Sequence, residues 1–197
     1  MSRGRFIAFE GGEGAGKSTQ IARLAEALRA RGGAEEIRAL FVEGAPGRWT
    51  VETDVLLVCA ARADHVARLI RPALAAGRTV LCDRYVHSTL AYQGYGKGVD
   101  LDRLRALHAF ACGDLWPDLV LWLDLPVEVG LPRSTKRAAA MRADGPQEQR
   151  FEALGLAYHE KVRAGFGSLA AADPRMVRID AAANIDGVAA AIAAAVL

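Results

Sequence analysis

The run Glu10-Gly11-Gly12-Glu13-Gly14-Ala15-Gly16-Lys17-Ser18-Thr19 is a complete GxxxxGK[ST] loop. It is set between an apolar segment, Phe6 to Phe9, and a stretch in which Ile21, Leu24, Ala25 and Leu28 recur at helical spacing. A strand that turns through a glycine-rich loop straight into a helix commits the chain to α/β architecture and points the loop's N–H groups at a phosphate. Gly11, Gly14 and Gly16 permit the tight path, Lys17 supplies a mobile charge for β/γ-phosphates, and Ser18 offers a hydroxyl for Mg²⁺. The substrate class that follows is a phosphate-bearing nucleotide.

Downstream, short apolar runs at 79–82, 119–125 and 176–179 alternate with helical stretches at 54–76, 100–112, 127–142 and 148–172, and an alanine-rich helix at 181–197 closes the chain. Alternation of this kind predicts a parallel sheet covered on both faces. A chain of 197 residues with 52% hydrophobic content buries one core, so a single domain over 1–197 is expected. A net charge of +2 is too small for the concentrated basic face that nucleic acid demands. Asn184 and Asp186 interrupt the last apolar stretch, and Met1-Ser2-Arg3 runs directly into the first strand, so neither a membrane span nor a leader is expected. Cys59, Cys82 and Cys112 have no metal-ligand spacing and read as reduced core thiols of a cytoplasmic protein.

Asp83-Arg84-Tyr85 follows the second apolar run, and ligands of open parallel sheets sit beyond the carboxyl ends of strands. Asp83 there suits Mg²⁺ or its waters, and Arg84 can fork two hydrogen bonds onto a phosphate. Ser88, Thr89, Tyr92 and Gln93 form a polar stripe on the helix that follows. Val58, Arg62 and His65 form another on the 54–76 helix, with Leu56, Cys59, Ala60, Ala63 and Ala67 on its core side. Two such stripes make a pocket for a second nucleotide, in which His65 fits a hydrogen-bonded surface histidine better than a catalyst. Arg133, Lys136 and Arg137 share a helical face near Arg142, Asp144-Gly145-Pro146 and Arg150. That cluster reads equally as a solvated basic face or as a lid over about 133–150 that closes on a transferring phosphoryl group.

These residues resemble those of bacterial thymidylate kinases. The resemblance rests on Phe9-Glu10-Gly11 through Gln20, Ala61-Arg62-Ala63-Asp64-His65-Val66, Ile70 to Gly77, Asp83-Arg84-Tyr85, Ser88 to Gly94, Pro117-Asp118-Leu119 and Leu123-Asp124-Leu125-Pro126. The Ala91-Tyr92-Gln93-Gly94 run downstream of Asp-Arg-Tyr is its most specific part. The resemblance implies a P-loop NTPase-like three-layer α/β/α fold with a parallel sheet and a short helical lid. It also implies transfer of the ATP γ-phosphoryl group to dTMP with Mg²⁺, in a homodimer.

Carried over, Gly11, Gly12, Glu13, Gly14, Ala15, Gly16, Lys17, Ser18 and Thr19 correspond to the ATP-binding set, with Ser18 and Asp83 toward the metal. Glu13, Val58, Arg62, Arg84, Ser88, Tyr92 and Gln93 correspond to positions around the acceptor nucleotide. Lys17, Asp83 and Arg84 are the expected catalytic groups. The phosphate loop lacks the arginine that some members place there, so Arg133 and Arg137 are the candidates for the lid arginine that stabilises charge on the transferred phosphoryl oxygens.

Three positions depart from the family pattern. Val58 stands where a phenylalanine usually stacks on thymine, and Ala61 where an Asp usually precedes the acceptor-binding arginine. The family's second strand and its Arg-Glu-Pro-Gly-Gly turn should follow the first helix, but Arg29-Ala30-Arg31 passes through Gly32-Gly33 directly into Ala34-Glu35-Glu36. About ten residues, roughly one strand, are missing from that junction. A Cα step well beyond the 3.80 Å of a trans peptide between Arg29 and Glu35 would mark a segment that the numbering runs across. Two alternatives stay open: another nucleoside or nucleotide kinase, and a non-catalytic protein that retains nucleotide binding alone.

Overall fold

The computed structural model describes residues 3–25, 48–140 and 154–196. The Arg29–Glu35 junction, Leu28, Arg142, the Gly145-Pro146 break and Arg150 lie outside these residues. Among the described residues four strands form one all-parallel sheet: β1 (Phe6–Glu10), β2 (Val80–Asp83), β3 (Leu119–Asp124) and β4 (Met176–Asp180), in the order β2-β1-β3-β4. All five residues of β1 and all six of β3 are buried, as a strand covered on both faces requires. The chain leaves β1 toward β2 on one side and returns to β3 on the other. The carboxyl end of β1 is therefore the point where the connections diverge and a crevice opens.

The helices are α1 (Lys17–Ala25), α2 (Val51–His65), α3 (Arg71–Ala75), α4 (Val86–Thr89), α5 (Leu101–Cys112), α6 (Val127–Ala140), α7 (Leu156–Ala172) and α8 (Ile185–Val196). A π-helical turn, Val66–Ile70, joins α2 to α3, and a second, Leu90–Gly96, continues α4. Alternate residues of β1 supply two cores. Phe6 and Ala8 pack with Val66, Ile70, Leu90, Leu104 and Phe166, whereas Ile7 and Phe9 pack with Leu121, Leu123, Val188 and Ile192. Helices thus cover both faces, giving the expected three layers. Burying each large apolar side chain contributes about 1.5–3 kcal/mol.

Several boundaries and faces differ from the sequence-based expectation. Thr50 caps α2 by accepting the Thr53 N–H, so that helix starts at Val51 and not at 54. Gly155, with φ 25° and ψ 159°, precedes α7, so no continuous helix runs from 148 to 172. Asn184 accepts the Gly187 N–H and starts the last helix at Ile185, not at 181. Most consequential, Leu56, Ala60 and Ala67 are exposed. The core side of α2 carries Val55, Cys59 and Arg62, because the Arg62 guanidinium finds buried acceptors that hold the helix in this phase. Cys59, Cys82 and Cys112 are free and buried, as expected. Among the described residues no helix is long and apolar enough to cross a membrane.

Candidate active site

The phosphate loop leaves β1 and delivers the N-terminus of α1, whose unpaired N–H groups and dipole favour an anion. Gly14 and Gly16, at φ 68° and 84°, occupy the left-handed region that lets the loop fold back on itself. Lys17 lies along the inside of the loop, and its ammonium donates to the carbonyls of Gly11 and Gly12 at 3.2 and 2.9 Å. Burial, reinforced by the charge of Arg84, pushes its pKa down to about 8, against partial support from Glu13 and Asp83. The Ser18 hydroxyl donates to Asp83 at 2.9 Å.

Asp83-Arg84-Tyr85 reaches the loop because β2 pairs with β1 in the register Phe9↔Asp83. Arg84 takes φ 63°, uncommon for a residue with a side chain, and its N–H donates to the carbonyl of Phe9 at 2.9 Å. Its guanidinium donates to the Gly11 carbonyl at 3.0 Å, the Ser88 hydroxyl at 3.3 Å and the Glu13 carboxylate at 2.8 Å. The Tyr92 hydroxyl donates to the same Glu13 oxygen at 2.8 Å, and the Arg84 guanidinium lies 5.1 Å from the Tyr92 ring centre. Burial pushes the Glu13 carboxyl up, but Arg84, Lys17 and the Tyr92 hydrogen bond outweigh it and hold the pKa at about 2. Arg84 is driven above its usual range by the surrounding carboxylates Glu13, Asp83 and Glu10 despite burial, and burial lifts the Tyr92 phenol far above its own.

One residue that sequence reasoning did not single out organises this corner. Glu10, the fully buried last residue of β1, accepts the N–H groups of Tyr85 and Ser88 at 2.7 and 3.2 Å, and the Ser88 hydroxyl as well. All three donors belong to the turn that carries Arg84. Its signal was a carboxylate inside an otherwise apolar strand, a placement that burial permits only when the charge is paired or hydrogen-bonded.

The polar stripe after Arg84 divides in two, because Ser88 and Tyr92, four residues apart, share one face while Thr89 lies one position further round the helix. Ser88 and Tyr92 face Glu10 and Glu13, whereas Thr89 accepts Arg62 at 2.5 Å. Arg62 also donates to the Tyr85 carbonyl at 3.1 Å and lies over the Tyr85 ring. Val58, one turn before it, is half-buried. The Gln93 amide nitrogen is buried and has no hydrogen-bond partner among the described residues. Arg133 is exposed on α6, and Arg137 lies in the same helix with its side chain outside the described part. A small pocket lined by Glu13, Asp124, His159, Arg163 and Phe166 lies beside the loop.

This arrangement places a guanidinium and a carboxylate directly beside a phosphate-binding loop. The family model for thymidylate kinase matches residues 9–192. The chain belongs to the thymidylate kinase family. It is 50% identical over 206 residues to the thymidylate kinase of Caulobacter vibrioides, covering 98% of this chain and 95% of that one. It is 47% identical over 204 residues to that of Magnetococcus marinus, covering 96% and 94%. Its structure is similar to the crystal structure of thymidylate kinase from Ehrlichia chaffeensis, with a TM-score of 0.74, 25% identity, and coverage of 99% and 100%. The Caulobacter match is longer than the 197 residues of this chain, so the relative carries residues without a counterpart here.

Proposed function

We propose that this protein transfers the γ-phosphoryl group of ATP to dTMP, giving dTDP and ADP. The observation that carries the reading is the convergence of Arg84, Glu13 and Tyr92 on the phosphate loop, which sets an acceptor-phosphate guanidinium beside the donor-phosphate lysine. Lys17 leaves the loop carbonyls for the β/γ-phosphates of ATP, and the loop N–H groups from Gly11 to Thr19 cradle them. Arg84 exchanges its Glu13 contact for the dTMP phosphate and holds it in line with the γ-phosphorus. The phosphate oxygen attacks, the bond to the β–γ bridging oxygen breaks, and the charge that develops is met by groups already in place. Glu13, Ser88 and Tyr92 stand on the deoxyribose side, while Val58, Arg62 and the unpaired Gln93 amide line the base side. Arg133 and Arg137 supply the lid arginine from a segment over about 133–150 of a single 1–197 domain.

Ser18 and Asp83 fit Mg²⁺. Their oxygens meet at 2.9 Å, and among the described residues no cluster of three or more His, Cys, Asp or Glu side chains competes for a metal. That pattern suits an ion held largely by substrate phosphates and water. Bound there, Mg²⁺ neutralises charge on the β- and γ-phosphates.

The protein acts as a homodimer, without nucleic acid or membrane, in the cytoplasm. Leu56 and Phe110, 59% and 91% exposed, stand on packed neighbours α2 and α5 and offer an apolar face. Three free thiols suit a reducing compartment. The test of the activity is an ATP-dependent panel of dTMP, dUMP, dCMP, dGMP and thymidine. Preference for dTMP is expected, and preference for any other member assigns the protein to another nucleotide or nucleoside kinase activity. Light scattering tests the dimer, which Phe110→Glu should dissociate.

A further inference from the structure

The phosphate loop is wedged against bare backbone on the side of β3. A methyl group on Gly11 would stand 2.4 Å from the Leu123 carbonyl oxygen, and one on Gly14 would stand 2.1 Å from the Gly130 carbonyl oxygen. The approach is reciprocal, since a methyl on Gly130 would stand 2.4 Å from the carbonyl oxygen of Glu13. None of these separations can accommodate a carbon, and each obstacle is main chain, which yields only by moving the loop or the helix.

Gly130 is far from the loop in sequence and makes no part of its motif. It is brought there by the Leu123-Asp124-Leu125-Pro126 run. This run ends β3 and opens α6, the Pro126 carbonyl accepting the N–H groups of Val129 and Gly130 at 3.1 and 3.0 Å. The first turn of α6 then lies against the Glu13–Gly14 peptide with Gly130 buried at the contact. The side chain of Glu13, carried by that same peptide, is the one bonded to Arg84 and Tyr92.

We propose that Gly130 is a positioning residue. The absence of a side chain there fixes where the Glu13–Gly14 peptide sits. That placement sets both the N–H groups offered to ATP and the carboxylate that steadies Arg84. The inference rests on the kinase reading above and adds to it a residue that contacts neither nucleotide. A displacement of about 1 Å in such a frame costs on the order of 100-fold in rate.

The test compares Gly130→Ala with Gly113→Ala at a temperature well below both melting midpoints. Gly113 ends α5 on the stretch that leads to the amino end of β3, has φ 55°, and would bring its methyl 2.8 Å from the Arg71 side chain. It therefore reports strain without loop displacement. Gly113→Ala should melt earlier with KM for ATP unchanged. Gly130→Ala should raise KM for ATP and lose about 100-fold in kcat/KM. A folded Gly130→Ala enzyme with the wild-type KM for ATP overturns the proposal, because lost stability alone lowers the active fraction and leaves KM in place.

If Gly130→Ala does not fold, hydrogen exchange on the wild type decides. ADP with Mg²⁺ should slow exchange across residues 126–131, and unchanged exchange in that segment overturns the proposal. Failure of the wild type to bind ADP contradicts the kinase reading instead.

Discussion

Arg84 and Glu13 form an ion pair 2.8 Å long at the mouth of the phosphate loop, with side chains 25% and 16% exposed. The pair keeps a guanidinium ready beside the donor site, and a phosphate can take the place of the carboxylate. Arg84→Ala should retain a cooperative melt and lose roughly 10²- to 10³-fold in turnover, the usual cost of one electrostatic contact to the reacting group. The same pair sets an acid limit. Arg84, Lys17 and the Tyr92 hydrogen bond hold the Glu13 carboxyl down at about 2, below its ordinary 4.5, so its stabilisation is complete above pH 4.5 and is lost as pH falls toward 2. Denaturant titrations over that window should show a shallower pH slope in the Arg84→Ala variant.

Lys17 gives a second pH signature, of opposite charge. Its pKa is depressed from 10.5 to about 8 by burial and Arg84, so the fold carries the cost of a buried ammonium below pH 8 and is relieved of it as pH rises toward 10.5. ATP phosphates restore the charge. Binding at pH 9 should therefore take up about one proton, visible by calorimetry in buffers of different ionisation enthalpy. At pH 6.5 the uptake should vanish, and Lys17→Ala should remove both the uptake and turnover.

Glu10 should matter to one substrate more than the other. Glu10→Gln weakens the charge-assisted bonds to Tyr85 and Ser88, each worth about 1.5–3 kcal/mol, and loosens the turn that aims Arg84. The expected result is a raised KM for dTMP with KM for ATP near its wild-type value. Equal rises in both would show that Glu10 supports the whole loop instead of the Arg84 turn.

Val58 stands where a phenylalanine usually stacks on thymine, so in the proposed site the base side lacks an aromatic face. Stacking of a base on an aromatic ring is worth about 1–3 kcal/mol, so Val58→Phe should tighten dTMP binding by less than that. Weaker binding, read by calorimetry with dTMP alone, would mean that residue 58 does not face the base.

The parts of the site that are local in sequence were legible without a structure. The phosphate loop carries its own strand and helix, and Asp83-Arg84-Tyr85 announces itself by following a buried strand. What required coordinates was anything set by distant partners. Glu10 reads as the last residue of a strand until Tyr85 and Ser88 fold over it. The phase of α2 could not be inferred from its apolar residues, since Arg62 turns inward to Tyr85 and Thr89 and leaves Leu56 outside. Gly130 looks like an ordinary helical glycine, and only the parallel pairing of β3 with β1 brings it under the loop.

The most direct test of the central claim is a coupled ADP-release assay with the purified protein, run with ATP and Mg²⁺ in the presence and absence of dTMP. The account predicts slow release without dTMP, strong stimulation by it, and formation of dTDP equal to the ADP released. Binding of ATP with no dTMP-dependent release would contradict it and leave a nucleotide-binding protein without acceptor chemistry.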